Sequence, residues 1–435
     1  MRVLLIGGGG REHAMALSIL KEGPELFSIS PNKNPGIFRI SKRNLIGNEN
    51  DTQVALNYAL KVRPDIVFIG PEGPLASGTT DILTAHGFKV FAPSSKAAKL
   101  ETSKTFLRNL MNEKGIAGNI ESFSFIDYRG ASEFIDKIDY EFVIKPDGLT
   151  GGKGVMVQGF HFKNKEEGKN ILRRYFEQGI NKILIERKES GEEFSLQAFV
   201  NGNNIEFLPT VQDYKRAGEH DEGPNTGGMG AICFSTRQLP FVPEGYIKSA
   251  GDILRKIVSA MSDDGNDYVG PIYGQFMATR EGPKVIEINS RLGDPEAINV
   301  LSLMNQSLLE VGVLMMEGKG IKLDFRPRIN VLRYLVPIGY GDNPRPSKLA
   351  IDEIGLLMKG LKLFYASVNS RGRYVMQTRS RSLGILSEGI TIEEAVQNFR
   401  DMEDMIEGEY YMRRDIGDPS VIAKKNEYMA TLLKK

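Results

Sequence analysis

"VIEINSRLGDPE", Val285 to Glu296, is the stretch that decides how this chain is read. Its first five residues alternate apolar and polar, the pattern of a strand with two unlike faces. The alternation puts Glu287 and Asn289 on one face and Ile286 and Ile288 on the other. Arg291, Gly293, Asp294 and Glu296 follow directly. A carboxylate and an amide present three oxygens to one point, which suits a magnesium ion completed by phosphate oxygens and water. The arginine beyond offers a planar clamp for a carboxylate or phosphate. Glu287 alone reads equally as an exposed strand carboxylate; Asn289 and Arg291 in register favour the metal site.

Outward from that strand, composition limits the options. The chain has 435 residues, enough for about three domains. Charged residues make up 26% and hydrophobic ones 41%, as in an ordinary globular protein. A net charge of +1 implies no bulk polyanion, so no nucleic-acid partner is expected. No stretch is long and apolar enough to span a membrane. The single cysteine, Cys233, excludes a disulfide framework and a multi-cysteine zinc site. The four histidines are scattered, so a bound metal would be a hard ion held by oxygens. These features predict a cytoplasmic, single-function enzyme, a monomer or small homo-oligomer.

Residues 1–100 alternate strand and helix: "RVLLIG", "REHAMALSILKEG", "LFSIS", "DTQVALNYALKVRP", "DIVFIGP", "TTDILTAHG", "KVFAP". Such alternation predicts a doubly wound parallel sheet. A long helical run follows from Ser94 to Gly115. Paired strands "EFVIKP" and "GVMVQG", a helix, and the strand "KILIERK" come next. A hairpin turns at Asn201-Gly202. A helix covers about 245 to 262, ahead of strands "YGQFMAT" and "PKVIEINS". A third region opens at "RPRINVLRYLVP", with its own strands and a final helix near 391 to 406. The fold class expected is multidomain α/β and α+β, with boundaries near 100 and 325.

Two glycine clusters stand out. "LLIGGGGREH" follows a strand and opens a helix, a geometry that cradles phosphate. A dinucleotide fingerprint starting at Gly7 needs glycine where Glu12 stands, and "LFSIS" ends in Pro31-Asn32 without a ribose-binding acid. The loop therefore reads as a tight turn or as another kind of phosphate or ribose site, with Arg11 at the helix start. Glu72, in "GPEGPLASG", falls just past a strand's carboxyl end, where open sheets bind ligands. The second cluster, "VIKPDGLTGGKGVMV", is not a Walker A loop: no glycine stands five residues before Gly152, and Gly154 replaces the Ser or Thr after Lys153. It reads as a flap over a triphosphate or as a mobile surface hairpin. Glu186 and Glu193 in "ILIERKESGEEFS" suit an adenosine or a solvated acidic turn.

Four patterns in this order resemble the ATP-grasp enzymes: "LETSK", "IKPDGLTGGKGV", "IERKESGEEFS" and "IEINSRLGDPE". With "GGREHA", "GPEGPLASG" and "QDYKRAGEHDEGPNTGGMGA", the chain is similar to the phosphoribosylamine–glycine ligase family from Val3 to about Asp418 in "RRDIGD". It departs at Pro146, at Thr102 in "LETSK", and at "YASV…TRSR", where Arg381 is a loose counterpart of the family's arginine.

The resemblance implies an N-terminal Rossmann-like substrate domain (1–100), an ATP-grasp domain of two α+β subdomains (101–325, flap about 120–192) and a small β-rich C-terminal domain (326–435). It implies ATP as co-substrate, with Lys104 and Lys145 on its phosphates and Gly151, Gly152, Lys153 and Gly154 over them. Glu186 and the backbone from Arg187 to Glu189 would hold adenine, and Glu193 the ribose. Glu287 and Asn289, perhaps joined by Gln275, would bind magnesium or manganese. Arg291 would sit by the glycine carboxylate or acyl phosphate. It forms a catalytic set with Lys145 and Asp213. Gly9, Gly10, Arg11, Glu72 and Asp294 would face 5-phosphoribosylamine. The implied reaction joins glycine to that amine through glycyl phosphate, with the 212–231 loop as a lid. Another ATP-grasp ligase, a nicotinamide oxidoreductase and a non-catalytic nucleotide module compete with this reading.

Overall fold

The computed structural model describes residues 1–149, 154–235 and 238–434. The first sheet has five parallel strands: β1 (Arg2–Ile6), β2 (Glu25–Ser30), β3 (Arg43–Ile46), β4 (Ile66–Ile69) and β5 (Val90–Phe91), in the order β3-β2-β1-β4-β5. β1 and β4 are apolar runs buried at nearly every position, as strands covered on both faces must be. The sequence reading missed β3, a half-exposed edge strand carrying Arg43 and Asn44. It also missed the short helix Pro35–Ile40, which Asn34 caps by accepting the amides of Gly36 and Ile37. Strand order reverses between β1 and β4. The loops after these two strands therefore open on one crevice.

The expected helix from 94 to 115 is broken at Ser103 into Lys99–Thr102 and Lys104–Glu113. Ser103 is extended (φ −140°), and its hydroxyl accepts the amide of Phe106. A serine that can cap competes with helix continuation. Next comes an antiparallel sheet of β6 (Ser122–Phe125), β7 (Phe142–Pro146), β8 (Met156–Val157) and β9 (Ile183–Arg187), ordered β6-β9-β7-β8. Helices Tyr128–Lys137 and Lys165–Glu177 close a separate core around Ile135, Phe142, Ile144, Leu172 and Ile185.

The largest sheet has nine strands. β10 (Glu192–Asn201), β11 (Asn204–Phe207), β12 (Val211–Asp213), β13 (Gly230–Cys233), β14 (Val269–Thr279) and β15 (Gly282–Asn289) supply six. β16 (Ile329–Leu335) and the strands Leu383–Gly389 and Lys362–Tyr365 extend it beyond β13. The strands expected in a C-terminal unit thus share the central sheet, while four short strands between 348 and 407 form a sheet of their own. The β10–β11 loop is Gly202-Asn203, one residue beyond the turn signal, with Gly202 at φ +56°. The helix near 391 stops at Gln397, and the chain turns at left-handed Asp401. A longer terminal helix, Pro419–Lys434, was not anticipated. One apolar core runs from Met15 and Ile19 through Phe194 and Phe276 to Leu383 and Ile385. Among the described residues, no helix is long and apolar enough to cross a membrane.

Candidate active site

The two sheets of the middle region and the crevice of the parallel sheet share one cavity of about 890 Å³. Gly9, Gly10, Arg11 and Glu72 line it from the first sheet. Lys104, Lys145, Glu186, Arg187 and Glu189 line it from the flap side. Glu193, Asp213, Glu287, Asn289, Arg291 and Asp294 line it from the large sheet. Within the flap, Gly154 resumes the described chain, and its carbonyl accepts the Tyr175 hydroxyl at 3.0 Å. Gly151, Gly152 and Lys153 lie outside the described residues.

β15 differs from the simple alternation read in its sequence. Gln275 pairs with Glu287, but Phe276 pairs with Val285, so Ile286 is an extra residue in a bulge. Val285 and Ile288 face the core, whereas Ile286 joins Glu287 and Asn289 along the cavity. The bulge also frees main-chain oxygens. Arg108 donates to the carbonyls of Val285 (2.8 Å) and Ile286 (3.1 Å), and Lys145 donates to that of Ile286 (3.2 Å). Asn289 Nδ2 donates to Glu287 Oε1 at 3.4 Å, so the two side chains adjoin, with the amide nitrogen turned to the carboxylate. Burial pushes the Glu287 carboxyl up, but Lys215, Lys145, Lys104 and Arg291 outweigh it and hold it below the usual range.

Gln275 is placed differently from a third metal ligand. Its oxygen accepts the Tyr273 hydroxyl, and its amide nitrogen donates to Glu193 (2.7 Å) and Asp213 (3.3 Å). Among the described residues no three His, Cys, Asp or Glu side chains group as a metal-ligand set. One carboxylate and one amide are few donors for a divalent ion, which takes six or more oxygens. The donor set fits an ion that arrives with phosphate oxygens.

Lys104, at the start of the helix Lys104–Glu113, and Lys145, on β7, both line the cavity. Lys104 donates to the carbonyls of Pro146 (3.1 Å) and Gly148 (2.8 Å), and burial lowers its pKa despite Glu287 nearby. Lys145 pairs with Glu186 at 2.7 Å, and Arg108 grips the same carboxylate at 2.8 and 3.2 Å. Burial raises Glu186, yet these two cations bring it down to about 2. The Glu186 side chain, expected at adenine, is thus engaged by Lys145 and Arg108 inside the protein. Glu193 accepts from Lys215 at 2.9 Å.

The junction with the first sheet is ionic. Arg291 donates to Glu72 (3.0 Å), Glu101 (3.0 Å) and the Leu292 carbonyl (3.1 Å). Arg11 donates to the same carbonyl (3.1 Å) and to Glu12 (2.5 Å). The Arg291 charge brings Glu72 to about 2, while burial lifts Glu101 to about 7 against that charge. Glu12, where a dinucleotide loop would have glycine, accepts the Gly9 amide at 2.6 Å and closes the helix start. Asp294 accepts from the Tyr334 hydroxyl (2.6 Å) and from Arg381 (3.0 Å), which brings the C-terminal region to the cavity. Residue-level reading missed Arg108, Lys215, Tyr273 and Glu101, because each has a partner well separated in sequence: Glu186, Glu193, Glu296 and Ser290. Glu101 and Lys215 did stand inside quoted motifs.

A cleft between two antiparallel sheets, lined by Lys104, Lys145 and Lys215 and by the strand that carries Glu287 and Asn289, is the architecture of an ATP-grasp protein. The family model "Phosphoribosylglycinamide synthetase, N domain" matches residues 1–101, and "Phosphoribosylglycinamide synthetase, ATP-grasp (A) domain" matches 102–297. The phosphoribosylamine–glycine ligase of Methanocaldococcus jannaschii is 41% identical over 99% of this chain and 100% of its own. The crystal structure of phosphoribosylamine–glycine ligase from Thermotoga maritima matches with a TM-score of 0.81 and 27% identity, covering 95% of this chain and all of that one. A biotin carboxylase from Campylobacter jejuni shares the fold alone, with a TM-score of 0.74 and 12% identity over 99% of this chain and 98% of that one. The chain belongs to the phosphoribosylglycinamide synthetase family.

Proposed function

We propose that this chain is an ADP-forming carbon–nitrogen ligase that joins glycine to 5-phosphoribosylamine, giving glycinamide ribonucleotide in purine biosynthesis. The observation that carries the reading is the shared Leu292 carbonyl. Arg11 of the first sheet and Arg291 of the large sheet both donate to it, so the amine pocket and the nucleotide pocket adjoin. Glycine's carboxylate attacks the γ-phosphate of ATP, giving glycyl phosphate and ADP. The amine then attacks the acyl carbon, forms the amide bond and expels phosphate. No covalent enzyme intermediate is needed.

Lys104 and Lys145 neutralise phosphate charge in this reading, and main chain from Arg187 to Glu189 takes the adenine. Glu287 and Asn289 would hold magnesium or manganese, which would supply charge stabilisation at the transferring phosphoryl group. Gln275 is better suited to orienting Glu193 and Asp213. Arg291 carries a fixed positive charge beside the acyl group, and enclosure keeps water from the acyl phosphate. Gly9, Gly10, Arg11, Glu72 and Asp294 bind the phosphoribosylamine. Cytoplasmic work suits a ligase of small metabolites, and the three regions are taken as 1–100, 101–325 and 326–435.

ADP release tests the reading, with glycine omitted, then phosphoribosylamine omitted, the latter being generated in situ. Full ADP release requires both. Release that ignores both substrates would overturn the assignment.

A further inference from the structure

The loop from Tyr214 to Met229 joins β12 to β13 and carries Lys215 to the cavity edge. Near its tip His220 and Asp221 have φ of 58° and 57°. Residues with a Cβ rarely adopt that region in succession, so the loop needs an outside hold.

"RRDIGD", Arg413 to Asp418, provides it. Arg413 is fully buried. Its Nε and Nη2 donate to the two oxygens of Asp415 at 2.9 and 2.6 Å. Its Nη1 donates to the carbonyl of Arg216 (3.1 Å) and to Asp221 (2.8 Å). Its guanidinium stands 5.1 Å from the centroid of the Tyr214 ring. Asp415 also accepts the amide of His220 at 2.9 Å. Tyr214 and Arg216 are the two neighbours of Lys215. One buried guanidinium therefore holds the chain on both sides of that lysine, by stacking before it and by a carbonyl after it. The flexible lysine stem is then aimed by its root, and its ammonium stands 2.9 Å from Glu193 and 3.8 Å from Asp213.

We propose that Arg413 is a positioning residue for Lys215, so that the C-terminal segment completes a site built mainly from residues before 297. The kinetic side of this inference rests on the ligase reading; the structural side does not. A plain core role for Arg413 would lower stability without acting through Lys215.

Four proteins separate these accounts: the unchanged chain, Lys215→Met, Arg413→Met and the double variant. ADP formation, melting temperature and hydrogen exchange at residues 213–217 are measured on each. Each single change is expected to lower kcat by about tenfold or more. The double variant is expected to match Lys215→Met within about twofold, because residues acting as a unit are not additive. Multiplying effects would overturn the proposal, and so would a fully active Lys215→Met enzyme. Unchanged exchange around Lys215 in Arg413→Met would also overturn it, whatever the reaction. Should Arg413→Met not fold, Asp221→Ala removes a single partner of the arginine. The same non-additivity is then expected from a smaller single effect, and additivity there overturns the idea. An unchanged chain that forms no ADP from both substrates defeats the ligase reading, and hydrogen exchange then decides the positioning role alone.

Discussion

The flap sheet of residues 122–187 and the nine-stranded sheet are held in different ways. The first packs around its own small core of Ile135, Phe142, Ile144, Leu172 and Ile185. The second shares one core with the parallel sheet and the C-terminal strands. Polar ties link the two: Lys145 donates to the Ile286 carbonyl, and from the helix Lys104–Glu113 Arg108 bridges Glu186 and the Val285 carbonyl while Lys104 holds the carbonyls of Pro146 and Gly148. Apolar packing is non-directional and gives each body its shape. Ion pairs and hydrogen bonds depend on geometry and can be exchanged for those of a ligand. Lys104 and Lys145, proposed to meet the triphosphate, are among these ties, so nucleotide binding is expected to act on the position of the flap sheet.

The largest effect is expected where that polar tie is most buried. Glu186→Gln leaves Arg108 and Lys145 without their carboxylate, and removing one partner of a buried pair costs about 3–5 kcal/mol. Thermal unfolding at pH 7 measures it. The pH dependence has a definite sign. The folded carboxyl titrates at about 2, below its usual 4.5, so the folded state takes up this proton later than the unfolded chain. The contribution is complete above pH 4.5 and is lost as pH falls toward 2. A Glu186→Gln protein as stable as the unchanged one at pH 7 would show that packing, not the tie, joins the two bodies.

Glu287→Gln is expected to lower kcat/KM by about 100-fold, or about 2.7 kcal/mol, with little change in melting, because its face opens on the cavity. Asn289→Asp keeps an oxygen in place and should be milder. Steady-state ADP formation at ordinary magnesium distinguishes them, and near-normal Glu287→Gln activity removes the metal reading.

Amide exchange in residues 144–149 and 154–157 should slow by about tenfold, or about 1.4 kcal/mol, on adding an ATP analogue with magnesium. Equal slowing throughout the flap core would argue for global stabilisation instead of closure.

The smallest effect belongs to Phe160, whose ring on the flap side lies 4.7 Å from the guanidinium of Arg216 across the cleft. Phe160→Ala removes the contact across the cleft, worth about 0.5–1 kcal/mol, together with a second cation–π contact to Lys188 on its own side (5.4 Å), so KM for ATP should rise about two- to fivefold at unchanged kcat. A fall in kcat instead would mean that the contact orders the reacting groups.

Much of the fold was legible because its signals are local. Apolar runs bounded by Gly and Pro marked β1 and β4, and alternation marked β15. β3 escaped because its half-exposed residues lack an apolar pattern, and the terminal helix escaped because few of its side chains are buried. The break at Ser103 turned on a cap that competes with helix continuation.

The amino-acid sequence by itself determined the order of the motifs, the parallel first sheet and the residue types at the cavity: Glu287, Asn289 and Arg291 in one short stretch, and lysines beside glycines in another. Tertiary structure alone decided which groups are free to meet a ligand. The bulge that turns Ile286 to the cavity depends on its pairing with β14. The pairing of Glu186 with Arg108 and Lys145, the turn of Gln275 toward Glu193, and the grip of Arg413 on both neighbours of Lys215 join residues far apart in the chain. Charge and hydrogen-bond geometry act over a few ångströms of space, and sequence distance carries no measure of that separation.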